Sequence, residues 1–358
     1  MASPIRLPSA RHYTIGWVAA LPHELLATTS MLDEKHDYPE DFSRHSRDTN
    51  QYYLGRIGQH NVVITSLPSV GYGTVSAATT ASNILSIFPH IRIGLLVGIG
   101  AGLPLVKTKR VKKECDIRLG DVVVSEPNGT NSGVVQYDLG KDKGDDKFER
   151  VGFLGAPPEV LRKGLSSLKM KYRSEGSDIP NILEEMLQKF PRLKEPDPET
   201  ESPAFTYQGS QNDRLFETPS AHVEPDDSEA EEETPCFHCD AEKEIRRKVR
   251  ESIVPRIHYG TIASGNSVVK HSASRDKIMQ RLSDDCLCFE MEAAGLMNHF
   301  PCLVIRGICD YADAHKNDRW QNYAAATSAA FAKSLLKVLQ PQEVENERSM
   351  NEALGKSA

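Results

Sequence analysis

Residues 289–295 read Phe289-Glu290-Met291-Glu292-Ala293-Ala294-Gly295, and residues 306–313 read Arg306-Gly307-Ile308-Cys309-Asp310-Tyr311-Ala312-Asp313. The apolar residues before Arg306 predict the end of a buried strand, and the residues after Glu292 predict the start of a helix. Glu290, Glu292 and Asp310 therefore fall at the ends of elements. In α/β proteins, sites are built at such ends.

The spacing of Glu290 and Glu292 predicts a binding role. On an extended segment, alternate residues point to the same face, so both carboxylates would point one way and Met291 the other. A pair of carboxylates aimed at one point suits a polyol such as ribose. The alternative explanation is a helix N-terminus, where acidic side chains complement the helix dipole.

Several other segments carry a resemblance to a known superfamily. They are Tyr13–Leu25, Val97–Gly102, Leu119–Ser125 and Ser264–Val269. With the Glu-Met-Glu segment, they resemble the nucleoside phosphorylase and nucleosidase superfamily, particularly the methylthioadenosine/S-adenosylhomocysteine nucleosidases. Residues 118–121 and 257–266 resemble its fungal members more closely. The resemblance covers residues 13–140 and 256–338, and its segments are specific jointly although each alone is weak.

The fold expected from the pattern agrees with this resemblance. Strands are predicted at 15–19, 62–66, 93–97 and 121–125, and apolar residues at helical spacing predict a helix from Thr74 to Phe88. Strands that alternate with helices favour a sheet with helices on both faces. The resemblance implies a three-layer α/β/α sandwich with a central twisted mixed β-sheet.

The resemblance also implies roles for individual residues. Asp310 is expected to be the acid that faces N7 of a purine, and Glu24 the base that activates water. The ribose would be bound by Glu292, Met291 and Glu290. Asp310 would donate to N7 if it is held protonated in a partly desolvated pocket.

The remaining predicted site residues form two groups. The base pocket is expected to contain Val268, Val269, Asn266, Trp320 and Cys309. The glycine turn, which allows close approach of the backbone to the nucleophile or ribose, comprises Gly98, Ile99 and Gly100.

Water is favoured over phosphate as the nucleophile. Phosphorylases of this superfamily typically have a Gly-Asp-Pro and arginine arrangement after the first strand, whereas this chain has Leu21-Pro22-His23-Glu24 and no arginine until Arg44. The resemblance thus implies a purine nucleoside N-ribohydrolase that prefers adenine nucleosides and needs no cofactor. The alternatives are a phosphorylase, a defence-type ATP nucleosidase and a non-catalytic nucleotide-sensing module.

Because of a basic run from Lys107 to Lys113, a nucleotide remains an alternative substrate. This run lies between the glycine turn and the following strand, close to the expected cleft. Lys109, Arg110 and Lys112 are therefore possible phosphate contacts, although most such runs are solvated loops.

Composition bounds the domain organisation. With 358 residues, 39% of them hydrophobic, the chain fits one domain at residues 13–339, between a flexible N-terminus at 1–12 and a flexible tail at 340–358. Residues 193–235 are rich in Pro, Glu, Asp, Ser and Thr and predict a flexible acidic insertion. Helices are expected on both sides of the insertion, at 182–190 and 241–252.

Charge and cysteine content exclude several classes of function. The net charge of -7 offers no basic field for nucleic acid, and no run of 18 apolar residues indicates a membrane span. Of the seven cysteines, Cys115, Cys286, Cys288, Cys302 and Cys309 lie in apolar contexts, which indicates reduced thiols. The protein is expected to be cytoplasmic, with the nucleus as the alternative. Cys236-Phe237-His238-Cys239 could supply part of a zinc site, but no second pair follows at suitable spacing, so no metal is predicted. The resemblance implies a homodimer.

Overall fold

The computed structural model describes residues 5–68, 71–103, 106–107, 114–144, 148–223, 236, 238–282 and 286–355. The strands are β1 Ile5–Arg6, β2 Ile15–Ala19, β3 Glu34–Asp37, β4 Tyr52–Ile57, β5 His60–Ser66, β6 Ile93–Gly102, β7 Val106–Lys107, β8 Glu114–Cys115, β9 Val122–Ser125, β10 Val134–Gln136, β11 Gly140–Asp142, β12 Phe148–Arg150, β13 Ile257–Ser264, β14 Cys286–Glu290 and β15 Cys302–Asp310. The α-helices are α1 Pro22–Ser30, α2 Thr74–Ile87, α3 Glu159–Glu175, α4 Ile179–Lys189, α5 Ser272–Arg281, α6 Ala293–Leu296, α7 Gln321–Val338, α8 Pro341–Asn346 and α9 Met350–Ala353.

A large mixed sheet forms the centre of the fold, with the strand order β1-β3-β4-β5-β2-β6-β14-β13-β9-β15. Strand β15 pairs with β9 and, in parallel, with β6, so the second half of the sheet closes on itself. The closed part is β6, β14, β13, β9 and β15. Closure brings the ends of β6, β14 and β15 together, and these ends carry the predicted glycine turn and carboxylates.

Burial explains the sequences of the central elements. All residues of β2 and β15 are buried, as expected for strands covered on both faces. Helix α7 is rich in alanine, which allows its close approach to β6, β9 and β15. Helix α2 packs against β5 and α6. The predicted α/β sandwich with a central mixed sheet is confirmed.

The predicted elements agree with the structure in most cases. The predicted strands correspond to β2, β5, β6 and β9, and the predicted helix at 74–88 corresponds to α2. The helix predicted at 182–190 corresponds to α4. The helix predicted at 241–252 is wrong, because only Ala241–Lys243 form a short 3-10 helix.

Side chains explain why this charged segment is not helical. Arg247 makes an ion pair with Asp213, and Arg250 makes two hydrogen bonds of 2.6 and 2.7 Å to the buried carboxylate of Asp121. These contacts, together with the hydrogen bond from the Ile245 amide to the Leu215 carbonyl, hold the segment against the domain in a non-helical conformation.

The first part of the acidic insertion packs on the domain. Phe205 and Leu215 are buried in the main hydrophobic core, and the Phe205 amide donates to the carbonyl of Leu193 over 2.9 Å. Residues 224–235 lie outside the described residues. The flexibility of the insertion and the domain boundaries inferred from composition stay predictions.

None of the helices in the described part of the chain has both the length and the apolar character needed to cross a bilayer.

Candidate active site

A cavity of about 250 Å³ opens where β6, β14 and β15 end. It is lined by parts of residues 20–24, 99–101, 267–269, 289–292 and 306–316, together with Tyr72 and Gln321. The predicted residues Glu24, Glu290, Glu292 and Asp310 all lie in this lining, and none is more than 4% exposed. Four buried carboxyl groups around one cavity are costly unless each is hydrogen-bonded or paired.

Glu24 is fixed by backbone amides. Pro22 begins α1 directly after β2, and the Glu24 side chain folds back over this turn to accept from the amides of Ala20 at 2.7 Å and Leu21 at 3.0 Å. Its other oxygen accepts from the amide of Ile99 over 2.7 Å. At Gly98, a Cβ atom would collide with this carboxylate, so the glycine makes room for Glu24.

Arg306 lies at the centre of the other carboxylates. Its guanidinium group is 1% exposed, donates to Glu290 and Glu292, the latter over 3.0 Å, and lies 4.0 Å from Glu24. Glu290 also accepts from the amides of Glu292 and Ala293, which holds the turn between β14 and α6. Glu290 therefore supports the turn, and its neighbour Glu292 remains beside the cavity.

The pKa of Glu292 is raised. Burial raises this pKa, the positive charge of Arg306 lowers it, and the negative charges of Glu290 and Glu24 raise it, so that the net pKa is about 7. The side chain thus changes its charge close to neutral pH. A carboxyl group that titrates near neutral pH can become ionised when the hydroxyl groups of a ligand donate hydrogen bonds to it.

Asp310 ends β15 and is paired with a cation. Its carboxylate accepts from Lys316 over 2.7 Å, from the Ala312 amide over 2.9 Å and from the Cys309 thiol at 3.2 Å. Burial lowers the pKa of Lys316, but Asp310 raises it, and the net effect is a rise. Burial also raises the pKa of the Cys309 thiol well above its usual range, so this thiol remains a donor.

Comparisons with known proteins place this geometry in context. No family model matches the chain. A nucleotide-binding leucine-rich repeat (NLR)-like protein of Hyaloscypha variabilis is 42% identical over 348 residues, which cover 97% of this chain and 31% of that protein. The chain thus spans about a third of the length of this relative.

Solved structures of bacterial enzymes share the fold. The 5'-methylthioadenosine/S-adenosylhomocysteine nucleosidase of Neisseria meningitidis, in complex with methylthio-immucillin-A, has a TM-score of 0.53 and 16% identity, over 91% of this chain and 99% of that one. The futalosine hydrolase of Helicobacter pylori has a TM-score of 0.53 and 16% identity, over 92% and 99%. The chain has the nucleoside phosphorylase/nucleosidase fold.

The walls of the cavity in this nucleosidase fold are mostly apolar. Val268, Val269, Phe289 and Met291 line it, as does Tyr72. Val268 is 46% exposed and lies at the mouth, whereas Phe289 is 5% exposed. The structure places Val268, Val269 and Met291 in the cavity lining, and their contacts with base and ribose stay predictions.

Two predicted pocket residues lie elsewhere. Trp320 is fully buried outside the cavity lining, where its indole packs against Tyr207 and Tyr323 and donates to the carbonyl of Asn212. Asn266 accepts from the amide of Thr74 at the start of α2, so it holds two loops together. The structure places Trp320 in the core and Asn266 in a loop contact rather than against a base.

The turn predicted at Gly98, Ile99 and Gly100 is wrong, because these residues continue strand β6 and pair with β15, although they do lie beside the cavity. Ile99 and Gly100 line the cavity, and the carbonyl of Ile99 accepts from Arg306 over 3.3 Å. Cys309, the residue before Asp310, also lines the cavity. The possible phosphate contacts Lys109, Arg110 and Lys112 lie outside the described residues.

Lys316 is the site residue that the sequence interpretation missed. It follows Asp310 by six positions in a loop, where a lysine reads as an ordinary solvated residue. The structure also pairs Arg306 with Glu290. The sequence signal for this ion pair is an arginine at the end of a buried strand, because a buried charge requires partners.

Proposed function

We propose that this protein is a purine nucleosidase that hydrolyses the N-glycosidic bond of adenosine-type nucleosides to free base and ribose. The observation that carries the proposal is the placement of Glu24, Glu292 and Asp310 around one cavity, each in a different environment. The reaction places positive charge on the ribose and negative charge on the base, and both must be stabilised.

Glu292 acts at the ribose. Its carboxylate accepts hydrogen bonds from the 2′- and 3′-hydroxyl groups, and Arg306 holds it in position from the other side. Charge-assisted hydrogen bonds of this kind orient the sugar. The negative charge also stabilises the ribosyl cation that develops as the glycosidic bond breaks.

Glu24 acts on water. Three backbone amides fix its carboxylate, two of them on Oε2 and one on Oε1, so Oε1 retains further acceptor capacity. As the water oxygen bonds to C1′, Glu24 accepts the proton that the water loses.

Asp310 and Lys316 act at the base. Asp310 takes up a proton from solvent as the nucleoside binds and passes it to N7, while the electrons of the broken C1′–N9 bond move onto the purine. The Lys316 ammonium group, 2.7 Å away, then neutralises the carboxylate that remains. Lys316 thus balances the negative charge of Asp310 before and after the proton transfer.

The charges of the cavity support water rather than phosphate. Among the described residues of its lining, the only Lys or Arg side chains are Arg306 and Lys316, and each is bonded to carboxylates. A phosphate ion would meet Glu24, Glu290 and Glu292 without an uncommitted cation. Phosphorolysis is accordingly the weaker candidate.

The test is a substrate panel with purified protein. Adenosine, methylthioadenosine, inosine, guanosine and ATP are incubated with and without phosphate, and free base and sugar product are measured. Free base together with ribose, at a rate that phosphate does not change, supports the proposal. Asp310→Asn should lose turnover, whereas Asp142→Asn, at an exposed carboxylate outside the cavity lining, should keep it.

Two results would contradict the proposal. Ribose 1-phosphate as the product would identify a phosphorylase. Binding of nucleosides without release of base would identify a non-catalytic sensing module.

A second candidate substrate is an adenine nucleotide such as ATP. It is favoured by the relative in Hyaloscypha variabilis, which is named an NLR-like protein and of which this chain spans 31%. In that case the nucleosidase would act within a larger signalling protein. Charge reversal at Lys109, Arg110 and Lys112 should then abolish turnover of ATP and spare adenosine. The homodimer and the cytoplasmic location stay predictions.

A further inference from the structure

Two cysteines and two histidines lie together outside the lining of the active-site cavity. The Nδ1 atom of His222 lies 3.2 Å from the Sγ atom of Cys239 and 3.7 Å from that of Cys236. The ligand atoms of His222, Cys239 and His315 all lie within 4.8 Å of one another. We call these four residues the Cys2His2 cluster.

His315 gives independent evidence for a ligand at this position. It is 7% exposed, and both of its ring nitrogens are buried without a hydrogen-bond partner. The nearby carboxylate of Asp313 is 3.7 Å from Nδ1, which is too far for a hydrogen bond. Phe216 stacks on the ring at 3.8 Å and fixes its plane. A buried imidazole without partners is costly, and a metal ion would remove this cost.

The spacing fits a tetrahedral metal ion. With Zn–S near 2.3 Å and Zn–N near 2.0–2.1 Å, a nitrogen and a sulfur on the same zinc are about 3.6 Å apart. The two His222–cysteine distances of 3.2 and 3.7 Å lie on either side of this value. The ligand atoms of His222, Cys239 and His315 lie within 4.8 Å of one another, so these three need only a small contraction around an ion.

We propose that His222, Cys236, Cys239 and His315 bind one zinc ion with four protein ligands. Two thiolates and two imidazoles in tetrahedral arrangement are the donor set of structural zinc sites. Binding releases the thiol proton of each cysteine to solvent, so the charge of the two thiolates balances that of Zn²⁺. All four positions of the metal are filled by protein, which assigns it a structural rather than a catalytic role.

The zinc would join two distant parts of the chain. Cys236, Cys239 and His222 belong to the segment between α4 and β13, whereas His315 lies in the loop between β15 and α7. Lys316, the partner of Asp310 in the cavity, is the next residue in this loop. The metal therefore anchors the loop that presents Lys316.

The first test measures the metal directly. Protein purified with zinc in the medium should contain one zinc per chain by mass spectrometry of the metal, and Cys239→Ser should lose it. His238→Asn is the matched control, since His238 lies between the two cysteines with an exposed side chain and should keep the metal. Circular dichroism shows whether each variant folds.

A second measurement uses the wild-type chain alone. Replacement of zinc by Co²⁺ should give the thiolate-to-cobalt charge-transfer absorption and the intense visible bands of a tetrahedral site. Zinc removal by a chelator should lower the melting temperature, and added zinc should restore it. Neither readout depends on nucleosidase activity.

Three outcomes would overturn the inference. They are wild-type protein without stoichiometric zinc, full zinc content in Cys239→Ser, and cobalt bound without charge-transfer absorption. A Cys236–Cys239 disulfide in metal-free protein, detected by alkylation without reductant, would replace the zinc site by a redox pair.

Discussion

Arg306 is buried among three glutamates, and its contacts divide their roles. Glu290 accepts from Arg306 and from two backbone amides, whereas Glu292 receives one hydrogen bond from Arg306 and lies beside the cavity. Glu24 lies at 4.0 Å and is held by amides instead. A single guanidinium group thus reduces the repulsion among carboxylates while leaving two of them able to act on ligands.

The partner of Asp310 should affect turnover more than binding. Lys316→Ala is expected to lower kcat by roughly 10²-fold, because the carboxylate that forms as N7 is protonated loses its cation. KM should change little. Lys316→Arg restores the positive charge and should recover most of kcat. Equal losses of kcat in both variants, or a change confined to KM, would contradict the assigned role.

Glu292→Gln should increase stability and decrease activity. The pKa of Glu292 is raised from 4.5 to about 7, so between these values the folded protein holds a proton that the unfolded chain has released. Stability therefore falls as pH rises through this window. At pH 8, the variant should gain roughly 1–3 kcal/mol in free energy of unfolding, and below pH 4.5 the gain should disappear.

The same variant should bind ribose poorly. Loss of charge-assisted hydrogen bonds lowers kcat/KM by roughly 10–100-fold. Chemical denaturation at several pH values and steady-state kinetics measure the two effects. The control is Glu185→Gln on the exposed face of α4, which should change neither quantity. A variant that loses stability at pH 8 would show that Glu292 is a stabilising ion-pair partner instead.

At the scale of elements, the hydrophobic pattern predicted which strands and helices are buried. It could not predict the conformation of segments that depend on polar contacts with residues far along the chain. β2, β5, β6 and α2 have regular apolar patterns and were found. The charged segment 241–252 looked helical locally, but its arginines bind Asp121 and Asp213 far along the chain. Trp320 was placed by resemblance alone, and its neighbours Tyr207 and Tyr323 complete a core contact that no local pattern shows.

Substitutions can test whether the insertion, whose composition predicts flexibility, packs on the domain. Phe205 is 5% exposed in the main core, whereas Phe153 is 88% exposed. Phe205→Ala should therefore lower the free energy of unfolding by about 3–5 kcal/mol. Phe153→Ala should stay within about 0.5 kcal/mol of wild type. Denaturant unfolding measures both, and equal, small effects would show that residues 193–223 do not dock in solution.

At the scale of the whole molecule, closure of the sheet assembles groups that are distant in sequence. The sequence predicts no metal at Cys236 and Cys239, because no second pair follows Cys239 at zinc-ligand spacing. His315 lies beyond β13, β14 and β15 in the chain, and His222 precedes both cysteines, so only the folded structure brings these residues together. The active-site carboxylates were predictable because each lies in a short motif of its own, whereas a site made by topology has no such local signature.

A second group of residues that are distant in sequence links the sheet to the outer segment 244–256. His258 on β13 lies 2.9 Å from Asp121 and 3.2 Å from the thiol of Cys115, and Asp121 also binds Arg250. Burial lowers the pKa of His258, but the bonds to Asp121 and Cys115 outweigh it and raise the pKa to about 9. The imidazole is therefore charged in the folded protein at neutral pH.

This histidine should make global stability depend on pH. A raised pKa contributes stability that is fully present below the unfolded value of 6.5 and is lost as pH rises through about 9. Its full contribution is on the order of 3 kcal/mol. In His258→Asn, the free energy of unfolding should lose this part of its slope between pH 6.5 and 9, while Glu292 still governs the slope below neutral pH. An unchanged slope in the variant would mean that the charge on His258 does not stabilise the closed sheet, and that Asp121 and Arg250 hold this edge without it.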